Sequence, residues 1–231
     1  MMKRAIVLAI VALFVVGVGA SAYPLYPGGF NFIGPPVVPF NPDVSSIFAA
    51  PCDPGGADTM YRFDVGTQGA NFYDPMFPGD YGGVLLGDGI WYQYNGPADP
   101  GKPWHEWDVV GAPDGLPDSS GVMTDMWISL APVAPGFTYL AQPFKHVTDI
   151  AKCFLTDGLV TKTWDQAAND IDPGTGKTWT EALMYGFDPT TQGFFTVGSD
   201  PMMFDRTQLE AYNGYEFKTL KANLALIVPA Y

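Results

Sequence analysis

The sequence predicts an all-β protein: an antiparallel sandwich or jelly-roll-like domain with a few short helices and an extended N-terminal arm. Three observations favour this class. The chain contains 27 Gly and 22 Pro, which punctuate it with turns, and only four of its 24 acidic residues are Glu, a good helix former. Residues 219–228 alternate apolar and polar side chains with the period of a strand. Aromatic residues, at 15% of the chain, are abundant enough to fill a core between sheets.

Residues 1–22 predict a cleaved signal peptide. Lys3 and Arg4 precede an uncharged apolar run, residues 5–18, and small residues end the segment at Ala22. This order matches the charged, apolar and cleavage regions of a secretory leader. The apolar run is shorter than the ~20 residues of a spanning helix, so we expect no membrane span after cleavage. The expected location is therefore secreted, extracellular or at the cell surface.

Residues 23–42 predict a Pro- and aromatic-rich extended arm. The segment carries six prolines, five aromatic residues and no charge. Proline lacks the N–H group that a central strand needs, so this density disfavours one. An uncharged aromatic arm needs a surface to lie on. Its own domain and a neighbouring subunit are both open as that surface.

Residues 43–231 predict a single β-rich globular domain. Strand-like segments alternate with Gly, Pro and Asp clusters, as in a sandwich or barrel, and helical signals are short. No internal repeat of fixed period is evident. The predicted strands are residues 59–65, 83–86, 90–94, 122–130, 137–141, 160–164, 194–197, 215–218 and 219–228. The predicted helices are residues 145–155, 178–185 and 207–212.

The charge balance excludes one class of partner. The formal net charge is −13, and removal of the leader would take away Lys3 and Arg4 but no acid. Nucleic acid is therefore not an expected partner, because phosphates require basic groups. Two interpretations of the acidity remain open. It provides a solvated surface that keeps a secreted protein soluble, or it binds cations.

The two cysteines of the mature chain predict a disulfide. Cys52 and Cys153 are an even pair in an exported protein, where thiols oxidise. A bridge closing a loop of about 100 residues would stabilise the fold by up to ~4–5 kcal/mol in the chain-entropy model. An intermolecular bridge between copies in an assembly is the alternative.

Residues 170–181 contain a candidate calcium loop. With Asp170 as the first of twelve positions, Asp172 stands third, Thr178 ninth and Glu181 twelfth, as in a calcium-binding loop. Gly174 occupies the fifth position, which usually carries a ligand oxygen. Thr178 and Glu181 also form the pattern of a helix capping box. A calcium site and an Asp-rich turn before a capped helix are therefore both open, and calcium is the cofactor expected if one binds.

A second metal site is conceivable around the two histidines. His105 is followed by Glu106 and Asp108, a donor set that suits a transition metal such as copper or zinc if the fold brings His146 close. A histidine packed among aromatic residues is the alternative. The tryptophans at 91, 104 and 107 fill a core or, if exposed, stack on sugar rings.

The sequence therefore predicts a non-enzymatic structural protein, secreted or at the cell surface. It shows no Gly-x-Ser-x-Gly nucleophile elbow, and both cysteines are expected to be oxidised. We expect self-assembly into an oligomer, filament or lattice, with acidic loops bridged by calcium. The alternative is an extracellular module that binds a glycan or a transition metal.

Overall fold

The computed structural model describes residues 22–112 and 124–230, so the predicted leader lies outside it except for Ala22. The predicted all-β class is confirmed. The first nine strands are β1 (Tyr23–Leu25), β2 (Gly29–Ile33), β3 (Val38–Pro39), β4 (Thr59–Asp64), β5 (Gly69–Phe72), β6 (Ile90–Tyr94), β7 (His105–Trp107), β8 (Gly111–Ala112) and β9 (Met126–Ser129). The others are β10 (Gly136–Ala141), β11 (Thr148–Asp149), β12 (Phe154–Thr156), β13 (Thr161–Thr163), β14 (Thr180–Asp188), β15 (Gly193–Gly198), β16 (Gln208–Leu209), β17 (Gly214–Thr219) and β18 (Ala225–Val228). Helices are α1 (Val44–Ile47), α2 (Pro78–Tyr81), α3 (Trp164–Asn169) and a 3-10 turn, Ile150–Lys152.

Three four-stranded antiparallel sheets dominate the fold. The first has the strand order β2–β6–β4–β5, the second β10–β17–β14–β15 and the third β13–β12–β18–β9. The second sheet packs on both of its faces. One face contacts the first sheet, where the Trp91 and Phe187 rings lie 4.9 Å apart. The other contacts the third sheet in a core that includes Phe217 and Leu226. The sheets therefore stack as layers.

Residues 23–42 lie on their own chain. β1 pairs with β7, β2 is an edge strand of the first sheet beside β6, and β3 pairs with β8. Leu25, Phe32 and Ile33 are fully buried. Pro24 and Pro39 stand in the short two-stranded pairings and the other four prolines in turns and loops, positions that tolerate a missing N–H group.

Several predicted elements were wrong in type or length. The predicted helix at residues 178–185 is instead the start of β14, and the one at residues 207–212 contains β16. The predicted helix at residues 145–155 is replaced by β11, a 3-10 turn and the start of β12. Residues 83–86 form a loop. The predicted strand 219–228 is divided, because β17 ends at Thr219 and β18 begins only at Ala225. Tertiary pairing thus overrode local propensity.

A duplication underlies the architecture. The first sheet joins strands 2, 4, 5 and 6 of the chain in the same order in which the second joins strands 10, 14, 15 and 17. The register is also the same. The row Phe32–Trp91–Tyr61–Phe72 crosses the first sheet as the row Tyr139–Glu216–Tyr185–Thr196 crosses the second. Residues 22–112 and 124–230, called here the first and second halves, therefore each contain one copy of this four-stranded sheet.

The sequence retains a short trace of this duplication. Residues 61–69 and 185–193 share six of nine positions, in the pattern Tyr-x-Phe-Asp-x-x-Thr-Gln-Gly. Connections of different length separate the matched strands in the two halves, so no fixed period exists.

The two halves contact each other reciprocally through this shared turn. Gln68 of the first half donates to the Phe137 carbonyl at 3.2 Å and accepts from its N–H at 2.7 Å. Gln192 of the second half does the same with Phe30, at 3.1 and 2.9 Å. Each glutamine thus covers an edge strand of the opposite half, as expected for two units related by a pseudo-two-fold axis.

Candidate functional site

The predicted calcium loop is held together by hydrogen bonds within the protein. Asp172 Oδ1 accepts from the N–H groups of Gly174 and Thr175, at 2.7 and 3.1 Å. Its Oδ2 accepts from the Trp179 indole at 2.8 Å and from Lys221 Nζ at 2.9 Å. Both carboxylate oxygens are therefore already engaged by donors of the chain.

The other three predicted ligands point to different partners. Glu181 lies in β14 and forms an ion pair with Lys218, and the Thr178 hydroxyl donates to the Thr180 carbonyl at 3.0 Å. The Asp170 carboxylate is exposed, 3.9 Å from Lys162. The predicted capping box is absent, since this segment is a strand. Within residues 22–112 and 124–230 no group of three or more His, Cys, Asp or Glu side chains could hold a metal ion, and calcium binding stays a prediction.

Lys221 occupies the place between two carboxylates that a bound cation would take. Its ammonium donates to Asp157 Oδ2 at 2.8 Å and to Asp172 Oδ2 at 2.9 Å. It also lies 4.4 Å from the centre of the Trp179 ring. The hydrogen bond from Lys221 is the main cause that lowers the pKa of Asp157 to about 2, and it also holds the pKa of Asp172 well below its usual range.

Acid should destabilise the protein through this cluster. A carboxyl whose pKa is lowered by folding stabilises the fold above its unfolded pKa, near 4, and loses that contribution as the pH falls through its folded pKa. We expect the unfolding temperature to fall between about pH 4 and pH 2. Lys221→Gln should lower it by a few degrees at pH 7 and flatten the profile in the acid range. Thermal unfolding measured by circular dichroism from pH 2 to 7 checks this.

Lys102→Gln is the matched control, because Lys102 forms an exposed ion pair with Glu106 in the first half and should contribute little. Equal losses at pH 7 in Lys102→Gln and Lys221→Gln, or an unchanged acid profile for Lys221→Gln, would contradict the role of Lys221.

The structure places the two histidines in separate settings. His105 in β7 makes a 2.8 Å hydrogen bond with Asp99 and stacks on the Tyr94 ring. His146 is exposed in the second half and stacks on Phe144. Neither belongs to a potential metal-binding cluster in the described part of the chain. A transition-metal site at His105 and His146 therefore stays a prediction without geometric support.

The predicted disulfide between Cys52 and Cys153 is not formed, and both thiols are free and buried. Cys52 packs in the core of the first half and Cys153 in the core of the second. Because the two cysteines lie in different cores, Cys52 and Cys153 are not neighbours in the structure. Burial raises the pKa of Cys52 to about 11 and that of Cys153 to about 12, which keeps both in the thiol form.

The aromatic residues predicted as core or as a sugar platform are mostly core. Trp91 and Trp107 are buried, and Tyr92 and Tyr94 are fully so. Trp104 is half-buried, with its ring 5.8 Å from that of Tyr26. This segment therefore offers no exposed aromatic surface of the kind that binds sugar.

An uncharged face on the third sheet is the most distinctive surface of the described residues. Side chains alternate along β9, β18 and β12, and Ile128, Leu226 and Leu155 point into the core. Their neighbours point away from it and form two cross-strand rows. The rows are Trp127, Ile227, Phe154 and Thr163, and Ser129, Ala225, Thr156 and Thr161. These eight residues are called here the outer face.

The outer face is apolar along one row. The Trp127 side chain is 58% exposed and Phe154 is also exposed, whereas Ile227 between them and Thr156 in the other row are buried. A groove of about 490 Å³ crosses the face beside Trp127, and Leu159, 94% exposed, projects from the turn between β12 and β13 next to it. The carboxylate in the lining of this groove, that of Asp157, is paired with Lys221. The alternation Met126-Trp127-Ile128-Ser129 is the sequence signal that could have identified this face.

Helices in the described ranges are no longer than six residues, and none is long and apolar enough to cross a membrane. Comparison with protein-family models, with curated proteins and with solved structures finds no match to this chain.

Proposed function

We propose that this is a secreted or cell-surface structural protein, not an enzyme, that assembles with copies of itself through the outer face. The observation that carries the proposal is the charge of that face. None of its eight residues is charged, although the chain has a net charge of −13. A surface that excludes charge in a strongly acidic protein is suited to contact with another surface.

The shape of the outer face suits a second copy. It is the flank of a four-stranded sheet, and sheets in this protein already pack face to face within the chain. A two-fold contact uses the same patch on both partners. It would therefore bury the Trp127 and Phe154 rings of both copies. Leu159 projects beside the groove, so the same patch carries both a projection and a depression.

Acidity elsewhere on the molecule gives this assembly a dependence on salt. Two chains of like net charge repel at long range, and added salt screens that repulsion. The contact itself is apolar and is not weakened by screening. Assembly should therefore strengthen as the salt concentration rises, and divalent cations such as calcium should act in the same direction at lower concentration.

Sedimentation of the mature chain, residues 23–231, over a range of concentrations tests the proposal. We expect dimers or larger species that dissociate on dilution, and Phe154→Asp should raise the dissociation constant at least tenfold by placing two carboxylates in the contact. Phe72→Asp is the matched control, because Phe72 is also an exposed phenylalanine but lies on β5 of the first sheet. A wild-type monomer at every concentration, or equal effects of the two variants, would overturn the proposal.

A further inference from the structure

A cleft of about 410 Å³ lies where the two halves meet. The end of β4 and the loop at residues 85–89 form its first-half side, and β9 and β10 form its second-half side. Its polar lining includes Arg62, Asn71 and Asp88, and Trp127 and Tyr139 provide aromatic surface. This volume falls within the range of small-ligand sites.

The duplication shows which of these groups the fold itself requires. The register aligns Arg62 with Gly186, Asn71 with Phe195 and Asp88 with Asn213. In the second half the Phe195 ring lies over Gly186 and occupies the space beside it. At these places the second half forms the same sheet with a glycine, a phenylalanine and the neutral Asn213. The Arg62 guanidinium and the Asp88 carboxylate are therefore particular to the cleft.

The cleft offers free acceptor atoms. The Arg62 guanidinium donates to the Tyr81 and Gly83 carbonyls and to Asp88. Asp88 Oδ2 accepts from Arg62 and from the Leu85 N–H group, whereas Oδ1 has no partner in the described part of the chain. Burial raises the pKa of Asp88 despite the neighbouring arginine, so its carboxylate lacks full solvation.

We propose that this cleft binds a neutral saccharide, whose hydroxyl groups donate to Asp88 and Asn71 and whose ring C–H groups pack on Trp127. Sugar hydroxyls supply donors for these free acceptor atoms of the cleft. An acidic saccharide would place its carboxylate against Asp88, with Arg62 already engaged, and is disfavoured. The 58% exposure of Trp127 leaves an indole surface for a ring at the mouth.

This inference does not rest on self-assembly, and the two compete for Trp127, because an indole buried against a second copy cannot also pack on a sugar. Trp127 belongs to both the outer face and the cleft, so Trp127→Ala should weaken assembly and saccharide binding together. Asp88 belongs only to the cleft and Phe154 only to the outer face. Variants at these two positions therefore separate the two proposals.

Isothermal titration of the mature protein with cellotetraose, chitotetraose, mannotetraose and tetragalacturonic acid provides the test. We expect saturable binding of at least one of the three neutral sugars and weaker binding of the acidic one. Asp88→Asn should weaken binding at least tenfold, and Asn71→Ala severalfold. Asp80→Asn, which removes one carboxylate on the nearby α2, should leave it unchanged, and Phe154→Asp should not weaken it.

Thermal unfolding of each variant verifies that it is folded, and Asn71→Ala tests the cleft if Asp88→Asn fails to fold. Absence of binding to all four sugars would overturn the proposal. So would a preference for tetragalacturonic acid, or unchanged affinity in both cleft variants.

Discussion

Trp91→Ala should destabilise the protein by about 3–5 kcal/mol, the usual cost of removing a buried aromatic side chain. Trp91 is 6% exposed and lies in the first sheet. Its ring stacks on Phe32 of the first half at 4.5 Å and contacts Phe187 and Phe194 of the second half at 4.9 and 5.9 Å. It is therefore the centre of the aromatic contact between the halves.

The same substitution should also uncouple the unfolding of the two halves. Each half has its own core, apart from Tyr212 of the second half, which packs in that of the first, and we expect the aromatic contact around Trp91 to couple their unfolding. Calorimetry should show one transition for the wild type and two for Trp91→Ala. Trp104→Ala, at a half-buried tryptophan, is the control and should cost under about 1.5 kcal/mol with a single transition retained. A single transition and a loss below about 1 kcal/mol for Trp91→Ala would contradict this role.

The free cysteines report which half opens. Cys52 and Cys153 are buried in different halves, so a thiol reagent labels each one only when its own core opens. In the wild type we expect both to be labelled at one common rate, set by global unfolding. In Trp91→Ala the two rates should differ, and mass spectrometry of the labelled peptides distinguishes them.

Much of the β architecture was predictable because it is local. Alternating apolar residues and glycine-rich turns indicated β4, β6, β10, β15 and β17 close to their observed bounds. The prediction failed where a local motif competed with long-range pairing. Residues 178–185 contain the pattern of a helix cap, yet β17 pairs with this segment and Glu181 forms an ion pair with Lys218. A capping motif contributes about 1 kcal/mol, which sheet formation outweighs.

The disulfide prediction was wrong and the calcium prediction stays untested, because the partners that decide both are distant in sequence. Asp170 and Asp172 were interpreted from the spacing of their own loop, but the cation beside Asp172 is Lys221, 49 residues away. The disulfide prediction paired the two cysteines by count, whereas the duplication assigns Cys52 and Cys153 to different cores. The outer face also required knowledge of which flank of the sheet the core covers.

The second large effect is expected for Asp58→Ala. Asp58 is 2% exposed, and its carboxylate accepts from the N–H groups of Asp53 and Asn95 at 2.8 and 2.7 Å and from the Tyr92 hydroxyl. Alanine removes this acceptor and leaves three donors without it, of which the Tyr92 hydroxyl is fully buried. Since each buried unsatisfied group costs about 1–3 kcal/mol, we expect a loss on the order of 4 kcal/mol.

The lost hydrogen bonds lie entirely within the first half, but the intact Trp91 contact should pass the loss to the whole molecule. Urea unfolding measures the total, and Asp58→Asn, which keeps one acceptor oxygen, should lose about half as much. Asp53→Asn serves as the exposed control. Thiol labelling in Asp58→Ala should therefore accelerate equally at Cys52, which shares a core with Tyr92, and at Cys153. Faster labelling of Cys52 alone would contradict the coupling of the halves, and a loss under about 1 kcal/mol would mean that water replaces the carboxylate.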